Sequence, residues 1–490
     1  MSGTVSGTVD GGPGGLGVDL HLELGAGGSR RAVLAEALRE AVRGGRLAPG
    51  TLLPPYRSLA ADLGIARNTV ADAYAELVAE GWLTSRQGSG TRVAERVLAP
   101  APGPARPAAP AALPYDLVQG KPDPGAFPRA AWLAAARRAL TAAPHEAFGI
   151  GDPRGRIELR RALAAYLARV RGVRTTPDRI VICSGTAHAL RLLARVPLAT
   201  HAREKPARQT AAHKAPPRPW AVEAYGLPYH QGLLGEAGIH TLPLGVDEDG
   251  ARVAEIPPEA GTVLLTPAHQ FPTGGPLHPE RRAGVLEWAR RSGGLVVEDD
   301  YDGEFRYDRR PVGAVQSLDP DRTVLLGSVS KSLSPALRIG WMCLPEALVD
   351  GVVEAKGVRE PHTSATEQLT LAEFVDSGAY DRHVRRMRQH HRVRRDRLVS
   401  VLAERVPAVR VTGLAAGLHA LVELPPGTER AAVAAAARHG VAVEGLADYR
   451  HPEALGPALP DGLVVGYATP PDRLYPAALD ALCQALSAAL

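Results

Sequence analysis

The chain has 490 residues, room for roughly two to four domains at ~100–200 residues each, so a single small module is excluded. Hydrophobic residues make up 45% and charged residues 22%, which excludes wholesale disorder, and no run approaches the ~18–20 apolar residues of a membrane helix. The net charge of +5 is a mild basic excess that permits nucleic-acid binding, and Cys183, Cys343 and Cys483 are scattered too widely for a disulfide framework or a thiolate metal site. These features point to a cytoplasmic protein with no membrane partner and no metal.

In chain order, residues 1–28 are rich in glycine and read as a disordered tail. From Ser29 to Leu98 the pattern is helical. Val33, Leu34, Ala37, Leu38, Ala41 and Val42 share one face, and Gly44-Gly45 ends that helix. A second short helix follows Pro54-Pro55, turning Leu59 and Leu63 inward and stopping at Gly64. A third opens at Arg67-Asn68-Thr69, buries Val70, Ala73, Tyr74, Leu77 and Val78, and ends at Glu80-Gly81. Two helices joined by a short glycine turn make a helix-turn-helix, whose second helix points its first residues into the major groove of double-stranded DNA. The alternating stretch from Trp82 to Val93 folds back at Gln87-Gly88-Ser89-Gly90, a glycine hairpin that completes a winged helix. Arg67, Asn68 and Thr69 are placed for base edges or phosphates; Arg57, Arg86 and Arg92, with Gly88 and Ser89 at the wing tip, are placed for the backbone.

These residues also resemble the GntR-type winged helix-turn-helix. Its pattern stands here at Leu53 to Arg57, Leu63-Gly64, Arg67 to Val70, Glu80-Gly81 and Gly88 to Thr91. Ala66 occupies the place where that family carries a serine helix cap, a loss of ~1 kcal/mol.

Residues 99–114 alternate alanine and proline and read as a semi-rigid spacer. From Tyr115 to Leu490, short β-branched runs at Arg179 to Cys183, Thr262 to Thr266, Leu295 to Val297 and Thr323 to Leu326 alternate with Ala/Leu/Arg helices, the signature of an α/β domain with a mainly parallel sheet. Thr200 to Pro219 interrupts it with a local charge of +4. It reads as a solvated, disordered insertion or a phosphate-contacting loop.

The chemistry of this second region points to pyridoxal 5'-phosphate (PLP). Such a site needs a lysine for a Schiff base, a carboxylate for the pyridine nitrogen, a donor for the phenolate oxygen and a phosphate cup. Of five lysines, only Lys331 stands at the carboxyl end of a strand; Lys121 lies in an entry loop, Lys205 and Lys214 in the insertion, and Lys356 on a helix. Leu295 to Tyr301 is a buried strand emptying into carboxylates. A Mg²⁺ site would look similar, but no phosphate-binding glycine loop of the nucleotide type accompanies it. Ser184-Gly185-Thr186 lies between a strand and the helix Ala187 to Val196, so its N–H groups can cradle a phosphate.

The motifs TPAHQFPTG (Thr266 to Gly274), EDDYDGEFRY (Glu298 to Tyr307) and GSVSKSLSPALRIGW (Gly327 to Trp341) resemble those of the MocR-type regulators, in which a GntR-type reader is fused to a fold type I, aminotransferase-like domain with a smaller α+β subdomain. The resemblance spans about residues 30 to 490. It implies that Lys331 carries the Schiff base, Asp299 meets the pyridine nitrogen, Tyr301 meets the phenolate oxygen, and Ser184, Gly185, Thr186, Ser328, Ser330 and Arg338 surround the phosphate. It also implies a head-to-tail homodimer. Three positions depart from the enzyme pattern: Leu227 stands where an aromatic stacks on the cofactor, with Tyr225 or Tyr229 as substitutes, Ile150 where a tyrosine reaches the partner's phosphate, and Leu463 where an arginine clamps the substrate carboxylate. The readings this leaves are a regulator that senses PLP or an amine condensed with it, an aminotransferase tethered to DNA, and a DNA-binding protein whose large domain only dimerises. The missing clamp argues against the second.

Overall fold

The computed structural model describes residues 29–86, 90–95, 113–197, 217–307, 313–357, 363–456 and 458–490, in two compact units that divide at residues 111 and 112. The expected tail, most of the spacer and most of the Thr200 to Pro219 insertion lie outside the described residues.

The first unit is a winged helix. Helices α1 (Arg30–Arg43), α2 (Tyr56–Leu63) and α3 (Arg67–Ala79) are followed by the antiparallel strands β1 (Leu83–Arg86) and β2 (Gly90–Val93). The glycine punctuation acts as expected: Gly44 caps α1, and Gly64 takes the left-handed conformation (φ 62°) that lets the chain turn from α2 towards α3. Along α1 the buried side chains are Leu34, Ala35, Leu38, Ala41 and Val42, with Val33 and Ala37 half-buried, so the apolar stripe is shifted towards the Ala35 side relative to the sequence pattern. Two contacts orient α3. The Tyr74 hydroxyl donates to the carbonyl of Pro54 at 3.2 Å. From α1, Arg39 reaches Glu76 and Glu80 at 2.8 and 2.6 Å.

The second unit is built on a seven-stranded sheet in the order Ile180–Cys183, Gly340–Cys343, Thr323–Ser328, Leu295–Asp299, Thr262–Leu265, Trp220–Glu223 and Thr241–Leu244. Six strands run parallel. Gly340–Cys343 runs antiparallel to both neighbours. Its first residue therefore lies at the same edge of the sheet as the last residues of the parallel strands, with Gly340 paired to Ser328 on one side and to Cys183 on the other. This glycine is required by close approach: a Cβ there would stand 2.7 Å from Cα of Gly185. The four sheet strands foreseen from sequence all appear. They are fully buried runs rather than alternating ones, as befits a parallel sheet covered on both faces.

A smaller α+β subdomain follows the 27-residue helix Ala379–Arg405. Its antiparallel sheet has the order Arg410–Thr412, His419–Glu423, Gly462–Gly466 and Glu444–Gly445, packed by helices Glu429–Arg438 and Tyr475–Ala489. The expected fold class, a winged helix-turn-helix plus a fold type I α/β domain with a smaller subdomain, is the observed one.

The α3 N-cap, Ala66, makes no side-chain capping bond. Replacing Ala66 with serine supplies an acceptor for an orphan N–H of the first turn and is expected to stabilise this unit by ~1 kcal/mol. Chemical denaturation of the full chain, followed by a signal from the first unit, measures it.

Candidate functional site

The carboxyl edge of the large sheet brings the predicted residues together. A cavity of about 270 Å³ is bordered there by Gly185, Thr186, Asp299, Tyr301, Ser328, Ser330, Lys331 and Arg338. Ser184 does not border it. Its hydroxyl lies 3.1 Å from Nδ1 of His188, on an outer cleft shared with Arg191 and Arg338.

Lys331 follows strand Thr323–Ser328 through a short turn, and Nζ donates to the carbonyl of Gly120. A Cβ on Gly120, whose φ is +78°, would come within 2.9 Å of that Nζ. Gly120 was not singled out from the sequence, because nothing local shows that a distant loop covers this lysine. Burial lowers the ammonium's pKa, with Asp299 and then Asp302 pulling the other way. The other described lysines are committed elsewhere: Lys121 pairs with Asp116 at 3.0 Å, and the buried Lys356 donates to the carbonyls of Pro153 and Ile182 at 2.6 and 2.7 Å. Lys205 and Lys214 lie outside the described residues.

The run Glu298-Asp299-Asp300-Tyr301-Asp302 packs four carboxyls into five positions, and three of them are held by a cation, a ring nitrogen or a pair of backbone N–H groups. Glu298 accepts from the N–H groups of Val315 and Gln316 at 3.0 and 2.9 Å, Asp300 is held by Arg171 at 2.8 Å, and Asp302 by His269 at 2.8 Å. Asp299 differs. It is 5% exposed, its Oδ1 has no hydrogen-bond partner, and burial, then Asp300, push its pKa up to about 7. A buried carboxylate oxygen without a donor is costly. An N–H or cationic group in the cavity would satisfy it, so the residues fit a protonated pyridine ring. Among the described residues no group of three or more His, Cys, Asp or Glu is placed to hold a metal.

The same cavity also offers groups suited to a phosphate. Gly185, with φ 115°, precedes helix Thr186–Leu193 and turns that helix's first N–H groups outward. The Arg338 guanidinium has no hydrogen-bond or ion-pair partner among the described residues, and the residue holds φ at 52°, a conformation that costs a non-glycine residue on the order of 1 kcal/mol.

The sequence pattern missed Glu223 and His230, which also border the cavity. Glu223 accepts from the Thr266 hydroxyl at 2.6 Å, and burial raises its pKa to about 7. It ends a fully buried four-residue strand, the same signature that drew attention to Asp299. His230 is kept neutral by burial and by Lys331, its pKa lowered to about 4.

Of the three departures, Leu227 does border the cavity, but neither proposed substitute reaches it: the Tyr225 hydroxyl accepts the N–H of Leu459 at 2.8 Å, and Tyr229 is 59% exposed. Ile150 is 65% exposed. The placement of Leu463 at the clamp position is corrected. Leu463 packs into the subdomain core with helix Tyr475–Ala489, whereas Val464 packs with Tyr225, Phe271 and Tyr301 beside the cavity. Alternate residues of a strand face opposite ways, so an offset of one exchanges the faces. The side chain turned towards the site is still aliphatic.

In the winged helix, Arg57, Arg67, Asn68 and Arg86 are exposed and Thr69 is half-buried. Arg92, also exposed, donates to the carbonyl of Gly50 at 2.9 Å. Gly88 and Ser89 lie outside the described residues.

Comparison with known proteins agrees with this geometry. Residues 31–93 match the family of bacterial regulatory proteins of the gntR type, and residues 116–202 and 251–455 match aminotransferase class I and II. The chain is 30% identical over 440 residues to the HTH-type pyridoxine biosynthesis transcriptional regulator PdxR of Corynebacterium glutamicum, covering 89% of this chain and 91% of that one. The chain belongs to the MocR-type transcriptional regulators. A second member, the probable rhizopine catabolism regulatory protein MocR of Rhizobium meliloti, is 34% identical over 379 residues, 73% of each chain. Among solved structures, Pyrococcus horikoshii kynurenine aminotransferase superposes with a TM-score of 0.66 at 23% identity, covering 78% of this chain and 92% of that one. That likeness concerns the fold of the MocR-type large domain.

The raised pKa of Asp299 has a stability consequence. Between the ordinary 3.8 and about 7 the folded protein holds a proton that the unfolded chain has released, so stability falls as pH rises through that window and levels off above it. In protein freed of PLP, Asp299→Asn is expected to remove this fall. Its thermal midpoint should gain on that of the native chain from pH 4 to 7 and keep the gain at pH 8.

Proposed function

We propose that this regulator binds PLP in the large domain through an imine on Lys331 and that PLP itself is the signal. The carrying observation is that one cavity presents the Lys331 amine and the bare oxygen of Asp299. PLP supplies the aldehyde that an amine attacks; the protein's share is to hold and orient it. Asp299 would meet the pyridine nitrogen, Tyr301 the phenolate oxygen, and Gly185, Thr186, Ser328, Ser330 and Arg338 the phosphate, with Ser184 acting at one remove through the helix start. Cation supply favours PLP over an amino acid as the signal. Lys331 and Arg338 are the only permanent cations among the described residues bordering the cavity; the first is consumed by the imine and the second faces the phosphate, which leaves none for a substrate carboxylate. The name of the Corynebacterium relative, a regulator of pyridoxine biosynthesis, supports the same choice.

On this reading the winged helix reads an operator in the cytoplasm, with Arg67, Asn68 and Thr69 at base edges and Arg57, Arg86 and Arg92 on phosphates. Two copies would act together head to tail, and Leu133, Phe148 and Ile150, at 67, 54 and 65% exposed, are apolar side chains that burial against a second chain would cover.

Purified protein given PLP is expected to develop a visible imine band that borohydride fixes on Lys331, and Lys331→Ala should lose the band while keeping its fold. A reducible band in that variant overturns the assignment. Operator binding is expected to weaken steeply with salt through counterion release. Arg67→Ala should lose affinity mainly for the operator, whereas Arg86→Ala should lose it on all sequences and flatten the salt dependence by about one unit of slope. Titrations against operator and random DNA at several salt concentrations separate the two.

A further inference from the structure

Tyr301 borders the cavity, and two residues that do not border it are joined to its hydroxyl. The Tyr301 oxygen lies 2.9 Å from Nδ1 of His269, and that same Nδ1 lies 2.8 Å from Oδ2 of Asp302. Both partners are 3% exposed. Three groups thus meet at one point and share two protons.

The carboxylate decides where those protons go. It can only accept, and a ring nitrogen settles 2.8 Å from a carboxylate oxygen as an N–H donor, because two facing lone pairs would repel. Nδ1 therefore carries the imidazole proton. A nitrogen that already bears hydrogen cannot accept one from Tyr301, so the phenol oxygen can only receive from His269. Its own proton then has two outlets: back onto Asp302, or forward to an acceptor in the cavity. The buried carboxyls around the ring keep that proton in place. Burial, Asp302, Asp299 and Glu223 all raise the Tyr301 pKa well above 10. His419, whose ring centroid lies 6.5 Å away, is itself held neutral by burial and by His269, its pKa lowered to about 3.

The backbone is shaped around this pair. A Cβ at Gly417, where φ is +74°, would stand 2.5 Å from Oδ2 of Asp302 and collide with Cε1 of His269; one at Gly274 would stand 3.3 Å from Nε2 of His269. The three segments involved come from two sheets. His269 follows strand Thr262–Leu265, Asp302 follows Leu295–Asp299, and Gly417 precedes the subdomain strand His419–Glu423.

We infer that Asp302 and His269 are a positioning pair, which fixes Tyr301 as a protonated donor for an anionic phenolate-type oxygen on the ligand carried by Lys331. The inference rests on the PLP reading above and assigns the two residues a task within it. When such an oxygen arrives, Tyr301 turns its O–H from Asp302 to the ligand, while the His269 N–H stays on Asp302 and leans on the Tyr301 oxygen. No bond other than hydrogen bonds changes. A donor held on the phenolate stabilises the form in which the neighbouring imine nitrogen has lost its proton, so the pair lowers the pH at which the visible band changes.

The test uses the full-length protein loaded with PLP and follows that band against pH. Tyr301→Phe sets the shift for complete loss of the donor. His269→Ala and Asp302→Asn are expected to move the midpoint in the same direction, upward by about one pH unit, comparable to one charge-assisted hydrogen bond. PLP should bind about tenfold more weakly in both, by the same free energy. His269→Asn, whose Nδ2 can replace Nδ1 as a donor, should stay close to the native midpoint, and with Asp302→Asn it carries the test if His269→Ala fails to fold. Native midpoints and affinities in Asp302→Asn and His269→Ala, while Tyr301→Phe shifts, would reduce the pair to packing and overturn the inference. A native protein that gives no band with PLP overturns the cofactor reading instead.

Discussion

The large domain is organised around a carboxyl that the protein buries and satisfies only in part. Asp299 sits at the end of a central strand, with neighbours on both sides in the sheet, and one of its oxygens has no donor. Its neighbours in sequence show that this is not a shortage of partners. Arg171 crosses from its own helix to hold Asp300, and the backbone of Val315 and Gln316 turns in to hold Glu298. Leaving one buried oxygen bare costs on the order of 1–3 kcal/mol. The fold tolerates this where the cavity opens, and a ligand that brings an N–H to that point recovers the loss as binding energy. Lys331, the Gly185 turn and Arg338 reach the same edge because the parallel strands end there and the antiparallel Gly340–Cys343 begins there.

Much of this was legible in the sequence because punctuation and burial leave local marks. Gly44, Gly64 and Gly81 end the three helices of the winged unit, and four apolar runs announced four strands of the large sheet. Long-range geometry left weaker marks or none. The antiparallel strand reads locally like its parallel neighbours, since hydrophobic runs do not encode direction. Gly120 guards Lys331 across more than two hundred positions, and His269 meets Asp302 across 33. The exchange of Leu463 for Val464 is the most instructive miss, because motif anchoring is good to about one residue while a strand's facing depends on that one residue. Ser184 shows the reverse case, a residue inside a matched motif whose hydroxyl is engaged by His188 and does not reach the cavity.

The cavity's charges also explain how an aminotransferase fold can serve a regulator. An enzyme acting on amino acids must hold two anions, the cofactor's phosphate and the substrate's carboxylate, each against desolvation. Among the described residues this site has one guanidinium without a side-chain partner, Arg338, held ready at a strained φ, and its other walls include Leu227, Leu234, Leu264 and Phe271. Val464, at the strand position turned towards these residues, belongs to the apolar cluster that includes Phe271, Leu227 and Tyr301 and brings no cation. Such walls would strip water from a carboxylate without replacing it, so a second anion is penalised. On the proposed reading, a ligand with one phosphate, one ring nitrogen, one phenolate and one aldehyde would find a group for each: Arg338, Asp299, Tyr301 and Lys331. On that reading, a site that has those four and no further cation among the described residues bordering the cavity registers the cofactor by binding alone, with no further reactant required.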